Sequence, residues 1–399
     1  MNKYHGFLII LLGLLAGLGP LCTDLYLPAL PNITSELGST TATSQFTLTT
    51  ALFGLGIGQL VFGPLSDKFG RKIPLLMSLL LFVGASIWCA LATDMQQLII
   101  ARFIQGLAGS GGAVLSRAIA RDLYSGADLT RFFALLMAVN GLAPIAAPII
   151  GGFQLEYTPW QGLFISLAVI AGGLALVSTV GLKETLKPEH ISQQSMAKGI
   201  KEVLSNRSFI GMSLAQGFVF AGMFAYIAAS SYVFQEQFEL SPQAYSYVFG
   251  LNGFGMIISA GIVAKLARHH GETSVINYTI SLAVLSAACL FAVSLLDSPL
   301  LLVVPVLLVT IAFTSALATL INSKAMQKLH KNAGVGSAVL GATMFAFGGV
   351  SSPLTGINGT SLISMSIVVL TCYALGALSW FFIAKINKPY VNTDGIPAK

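Results

Sequence analysis

Two ionisable residues stand where hydrocarbon is expected. Asp24 lies inside Gly6–Pro31, which reads GFLIILLGLLAGLGPLCTDLYLPALP. A run of that length crosses a bilayer, because a hydrocarbon core of about 30 Å needs about 20 helical residues. A carboxylate among Leu, Gly and Pro has to be protonated, paired or turned toward a polar cavity, since a bare charge in lipid is costly. Arg102 opens the fourth apolar stretch and is a permanent cation that needs a polar partner. Gln105 follows it by three positions, on a neighbouring face of the same helix. The chemistry these residues suit is proton binding and release. If Asp24 and Arg102 approach one another or share waters, the arginine would hold the carboxylate ionised, and a cationic substrate or a conformational change would alter that balance. A proton and a cation competing for Asp24 would exchange one movement for the other. The plainer alternative makes Asp24 a helix cap beside Pro28 and Pro31, and Arg102 a structural donor between helices.

The elements that position these groups follow from composition. The 399 residues are 55% hydrophobic and 9% charged, with a mean hydropathy of +0.81. Soluble domains are about 25% charged, so this is an integral membrane protein. The first apolar run is too long for the core of a signal peptide and lacks a small-residue cleavage site, so it is expected to be retained. Cys22, Cys89, Cys289 and Cys372 are scattered singly, a spacing that makes neither a zinc site nor a disulfide framework. His5, His190, His269, His270 and His330 have no ligand spacing either. No phosphate-binding glycine loop is present, so ATP is not the direct energy source. No cofactor or metal is expected.

Apolar windows predict an all-α membrane protein of twelve transmembrane helices, centred near Leu15, Leu55, Phe82, Ala108, Leu142, Ala171, Phe220, Met256, Leu285, Val309, Phe345 and Leu375. Of the 21 basic residues, all but Arg102 fall at the termini or in alternate loops. The other loops carry Glu36, Asp94, Glu156, Glu236, Glu239 and Asp297 and no Lys or Arg. The positive-inside rule makes the basic side, with both termini, cytoplasmic. The net charge of +6 is therefore a topology signal, and a nucleic-acid partner is not expected. Residues 1–182 are expected to form one six-helix bundle and 208–385 a second. Between them lies a cytoplasmic linker, 183–207, and a cytoplasmic tail, 386–399, closes the chain. Phe53-Gly54-Leu55 recurs as Phe249-Gly250-Leu251, a faint internal repeat of the sort secondary transporters carry. Gly54 and Gly58 are spaced for close helix packing, within the chain or between copies; a monomer is expected.

The loop after the second span reads Gly63-Pro64-Leu65-Ser66-Asp67-Lys68-Phe69-Gly70-Arg71-Lys72. Gly63 and Gly70 suit a tight turn, and Asp67 with Arg71 suits a charged latch that stabilises one global state. This stretch resembles the G-x-L-x-D-x-x-G-R-K signature of the major facilitator superfamily. Arg102-Phe103-Ile104-Gln105-Gly106 is similar to that family's R-x-x-Q-G motif. Gly141, Pro144, Pro148, Gly151 and Gly152 in the fifth span are similar to the exporters' glycine-proline motif, with Ala147 before Pro148 where the family has glycine. Asp24-Leu25-Tyr26-Leu27-Pro28-Ala29-Leu30-Pro31 is close to the D-x-Y-L-P-A-x-P pattern of bicyclomycin-resistance (Bcr/CflA) type drug exporters, as is Arg121-Asp122-Leu123-Tyr124 to a stretch that they often show. A second copy of the loop signature is reduced to Gly261, Lys265 and Arg268.

The resemblance implies the major facilitator fold and a proton-driven exporter working by alternating access, with its cavity between the bundles. Asp24 and Arg102 would couple the proton, Gly63, Asp67, Gly70 and Arg71 would form the latch, and Gly141, Pro144, Pro148, Gly151 and Gly152 would gate. Beside Asp24, the candidate substrate contacts are Tyr26, Gln105, Asn140, Gln216, Tyr226, Tyr232, Asn252, Phe254 and Phe345, with Gln59 a further polar candidate. Aromatic surface with a few polar groups suits amphipathic compounds, although aromatics on apolar helices more often pack. The expected substrate is an amphipathic drug or antibiotic; a natural metabolite such as a sugar, amino acid derivative or nucleoside is the alternative. A membrane enzyme is disfavoured because no catalytic cluster, nucleophile elbow or metal-ligand motif occurs.

Overall fold

The computed structural model describes residues 3–124, 126–186, 196–329 and 333–384. In the first half, α1 (Lys3–Asp24) leads through a 3₁₀ turn, Leu27–Ala29, into α2 (Leu30–Glu36). Then come α3 (Thr41–Phe69), α4 (Lys72–Leu91), α5 (Met95–Leu123), α6 (Gly126–Gln154) and α7 (Gln161–Gly181). A short helix, α8 (Met196–Ser205), precedes the second half. That half holds α9 (Arg207–Tyr232), α10 (Pro242–His270), α11 (Glu272–Leu295), α12 (Leu300–Gln327), α13 (Ala333–Ser351) and α14 (Leu362–Ser379). Each of the twelve expected spans falls on one of these helices. Among described residues, eleven helices are long and apolar enough to cross a membrane; on α6 the apolar stretch is Leu142–Gln154. A helix meets the demand of a span, since it bonds every backbone N–H and C=O within the segment where no water is at hand.

Helix starts are marked by short polar side chains that satisfy otherwise orphaned N–H groups. Thr40, Asp94, Ser241 and Ser361 accept hydrogen bonds from the backbone three residues on, at the starts of α3, α5, α10 and α14. These four caps share one end of the bundle with Glu36, Glu156 and Asp297, the acidic end. The Arg71, Asp122 and Glu184 turns lie at the basic end, joined by their own contacts.

Within the first half α5 packs against α1, α3 and α4, and in the second α9 packs against α13 and α14. Gly54 on α3 rests against the backbone of Phe103 and Leu107, and Gly58 against Ser110. These glycines thus pack α3 on α5 within the chain. The outward surface is apolar, with Leu80, Leu176, Val180 and Leu301 exposed, the inverse of a soluble surface. Expected linker residues 187–195 and tail residues 386–399 lie outside the described residues, but the linker's second part is the helix α8 and not an extended strand of chain.

The halves meet along α3 with α13 and α6 with α10. Hydrogen bonds between described residues of the two halves lie at the acidic end. Tyr232 bonds Thr34 at 2.7 Å and also Ser44. Gln45 donates to Ala228 O at 3.4 Å and to Thr360 at 3.2 Å.

Candidate functional site

The site is built on a break in the first span. Gly6–Pro31 is not one continuous helix: α1 ends at Asp24, and Tyr26 turns the chain at φ −91°, ψ −8°. Pro28 explains the break, because it has no N–H to give and its ring meets the carbonyl four residues back, here that of Asp24. Irregular backbone at this depth needs partners from neighbouring protein. The second half supplies them. Ser231 Oγ donates to Leu27 O at 2.6 Å, and Gln235 Nε2 donates to Pro28 O at 3.0 Å. On the other side α6 leans on the break at Gly151, where any Cβ would collide with Leu25 O. Asp24 sits at this junction, 4% exposed.

Arg102 is fully buried on α5. Its Nη1 donates to Cys22 O at 2.8 Å and to Gln105 Oε1 at 2.5 Å, and its guanidinium carbon lies 4.2 Å from the Tyr26 ring centre and 5.7 Å from that of Phe164. Nε and Nη2 have no partner among described residues. Neither of the two ion pairs between described residues includes Asp24 or Arg102. The direct Asp24–Arg102 approach considered from sequence is thus not made: the Arg102 head is drawn to the α1 backbone carbonyl and to the aromatic faces, which compensate a buried cation without a counter-ion. Gln105 is spent as well, since its Nε2 donates to Ser86 Oγ at 2.7 Å. Tyr26 shares a hydrogen bond of 3.0 Å with Thr47. Tyr26 and Gln105 therefore brace Arg102.

Other sequence candidates separate into groups. Tyr226 and Asn252 come together: Asn252 Nδ2 donates to Tyr226 Oη at 2.9 Å, and Tyr226 stacks on Phe249 at 5.6 Å. Asn252 Oδ1 and Gln216 Oε1 are buried and have no partner among described residues. Tyr232 belongs to the seam between the halves. Phe345 is half-buried at the α3–α13 contact, near Gly56, and Gln59 packs against Gly341 there. Phe254 lies with Tyr247, Leu251, Ile258 and Ile262 on an exposed apolar stripe of α10, separate from the Asp24 junction. Asn140 and Gly141 fall on α6, with side chains outside the described residues.

At the basic end, the expected turn Gly63–Lys72 is mostly helix. α3 continues through Pro64 to Phe69, leaving only Gly70 and Arg71 between helices. Gly63 is a helical residue whose carbonyl accepts from Ser66 Oγ at 2.8 Å. Arg71 pairs with Asp67 at 2.5 Å and donates through Nε and Nη2 to both oxygens of Asp122, at 2.9 and 3.4 Å. Burial alone would lower the Arg71 pKa, but hydrogen bonds and charge from Asp122 and Asp67 raise it above its ordinary value. Glu184, from the start of the linker, accepts from the backbone N–H of Arg71 at 2.9 Å and of Lys72 at 3.1 Å, as an anion at a helix N-terminus does. Gly70 has φ +84°, and a Cβ there would stand 2.5 Å from Glu184 Oε2.

The fifth-span prolines do not break their helix, since α6 is continuous from Gly126 to Gln154 through Pro144 and Pro148. Pro148 is buried and Pro144 half-buried. Gly151 faces the α1 break, whereas Gly152 faces Ser246 and Gln243 of α10. Sequence reasoning missed Glu184, Ser231, Gln235, Gln45, Thr34 and Ser44. The one local signal was a glutamine inside an apolar span, as at Gln45 and Gln235.

Comparison with known proteins gives the class. The model of the Major Facilitator Superfamily matches residues 12–353, and the chain belongs to that family. It is a multi-pass membrane transporter of the bacterial inner membrane and not an enzyme. The chain is 37% identical to the "Uncharacterized MFS-type transporter YdgK" of Bacillus subtilis over 95% of each chain. It is 26% identical to the "Bicyclomycin resistance protein homolog" of Haemophilus influenzae, over 95% of this chain and 96% of that one. Among solved structures, a bacterial homologue of the human lysosomal transporter Spinster, in an inward-facing and occupied conformation, superposes with a TM-score of 0.74 at 13% identity. That likeness covers 96% of this chain and 97% of the other.

Proposed function

We propose that this transporter exports amphipathic drugs or antibiotics across the cytoplasmic membrane in exchange for protons, by alternating access. The observation that carries the reading is Asp24, a carboxylate buried at the α1 break where α6 and the second half converge. A carboxylate so placed changes its charge only when a proton, a cation or a conformational change reaches it. A conformation that separates the halves at the acidic end would break the Ser231 and Gln235 bonds to the loop beside Asp24, which links protonation to access. The bicyclomycin-resistance relative supports a drug substrate. On this reading the basic end is cytoplasmic, the transporter works as a monomer, and the proton gradient drives it without a cofactor.

The test is proton movement evoked by substrate. Purified protein in liposomes with an internal pH-sensitive dye is challenged with amphipathic antibiotics and with sugars, amino acid derivatives and nucleosides. Flux with the antibiotics that disappears in Asp24→Asn is the expected outcome. Flux evoked by metabolites alone would replace the drug reading, and undiminished flux in Asp24→Asn would move the proton site elsewhere.

A further inference from the structure

A cleft of about 470 Å³ opens on the flank of the second half, away from the Asp24 junction. It exists because α13 and α14 both pack on α9 but make almost no contact with one another. Phe218 and Ala221 of α9 form its floor. Phe347, Val350 and Leu354 form one wall, and Ile367 and Leu375 of α14 the other. Val350, Leu354, Ile367 and Leu375 are all well exposed at its mouth.

We propose that this cleft seats one acyl chain of a membrane lipid from the leaflet at the acidic end. Its volume is within the range of ligand pockets, about 300–1,000 Å³, yet it offers a ligand no free hydroxyl donor. Ser351 Oγ is committed to Ala221 O at 2.7 Å and Gly348 O at 3.1 Å. Thr371 Oγ1 is committed to Ile367 O at 2.8 Å. Hydrocarbon is the occupant such walls accept, and the bilayer supplies it at the mouth. The cleft runs along the helices from Ile367 to Leu375, about 12 Å at 1.5 Å per residue, which is close to the depth of one leaflet, about 15 Å. The leaflet follows from chain direction: α14 starts and α13 ends at the acidic end, and the lining runs from the last turns of α13 and the second turn of α14 inward to the middle of the α14 span. The opposite face of α13 meets the first half, where Gly349 lies against Phe53. A chain in the cleft therefore backs the helix that joins the halves.

The proposal is independent of the substrate, and full-length protein in vesicles tests it. Vesicles of phosphatidylethanolamine and phosphatidylglycerol carry a trace of lipid with a photoactivatable diazirine in its acyl chain. After illumination, labelled peptides are mapped by mass spectrometry. Labelling is expected to concentrate on Val350–Leu354 and Ile367–Leu375, above that of Met77 and Leu80 on α4, although those two are on the whole more exposed. Thr371→Phe fills the mouth from an exposed position and should weaken cleft labelling roughly tenfold while α4 labelling is unchanged, which also reports an intact fold. Thr371→Val should label like wild type. Uniform labelling of all apolar faces, cleft labelling indifferent to Thr371→Phe, or displacement of the label by an amphipathic antibiotic at constant lipid would overturn it.

Discussion

Arg102 lies face-on to Tyr26, with its guanidinium carbon 4.2 Å from the ring centre, and is not ion-paired with Asp24. A desolvated cation over an aromatic ring is worth about 2 kcal/mol. Tyr26→Leu removes both the ring and the hydroxyl bonded to Thr47, and should therefore cost about 3 kcal/mol of stability, read as a fall in Tm in detergent. Tyr26→Phe keeps the ring and loses only the hydrogen bond to Thr47, so its cost should be about 1 kcal/mol. Equal losses in the two variants would remove the ring from the account.

Tyr232 is the main hydroxyl contact across the acidic end, reaching Thr34 and Ser44 together. Tyr232→Phe deletes both contacts and keeps the packing. At about 1 kcal/mol per bond, losing both is about 2 kcal/mol, so the ratio of separated to joined halves should rise roughly thirtyfold. Spin labels at the exposed Ser35 and Glu236 positions would show it as a larger fraction of long distances. An unchanged distance distribution would place the seal in other contacts.

Gly70 meets two demands at once, a left-handed φ and close approach of the Glu184 carboxylate. Gly70→Ala should destabilise by about 1–3 kcal/mol. In Glu184→Ala the collision is gone and only the backbone strain is left, so the double variant should be more stable than the two single losses summed, by about 1 kcal/mol. Thermal unfolding of all four proteins measures that coupling.

The Glu184 carboxyl also carries a pH signature. Burial tends to raise its pKa, but backbone N–H groups of Arg71, Leu186, Lys72 and Thr185 outweigh burial and hold it below the ordinary value of 4.5. A depressed folded value means the stabilisation is fully present above pH 4.5 and is lost as pH falls through the lower folded value. Wild type should therefore exceed Glu184→Gln in Tm by a constant margin above that pH, and the margin should shrink below it. A margin that grows on acidification would contradict the assignment.

The amino-acid sequence by itself determined the spans, because crossing a bilayer is a local property of about 20 apolar residues. It determined the class of the loop at Gly70 and Arg71 through their spacing, and it singled out Asp24 and Arg102 as charges in apolar surroundings. Pro28 and Pro31 also carried the break that ends α1, although the length of the apolar run hid it. Only the tertiary structure decided what those charges touch. Arg102 meets residues some 80 positions away, Arg71 reaches Asp122 and Glu184, and the carbonyls freed by Pro28 are met by Ser231 and Gln235, over 200 positions on. Hydropathy and helical period are read within a few turns of one helix. Partners for buried polar groups are chosen by whichever helix packs alongside, and that depends on the shape of the whole bundle.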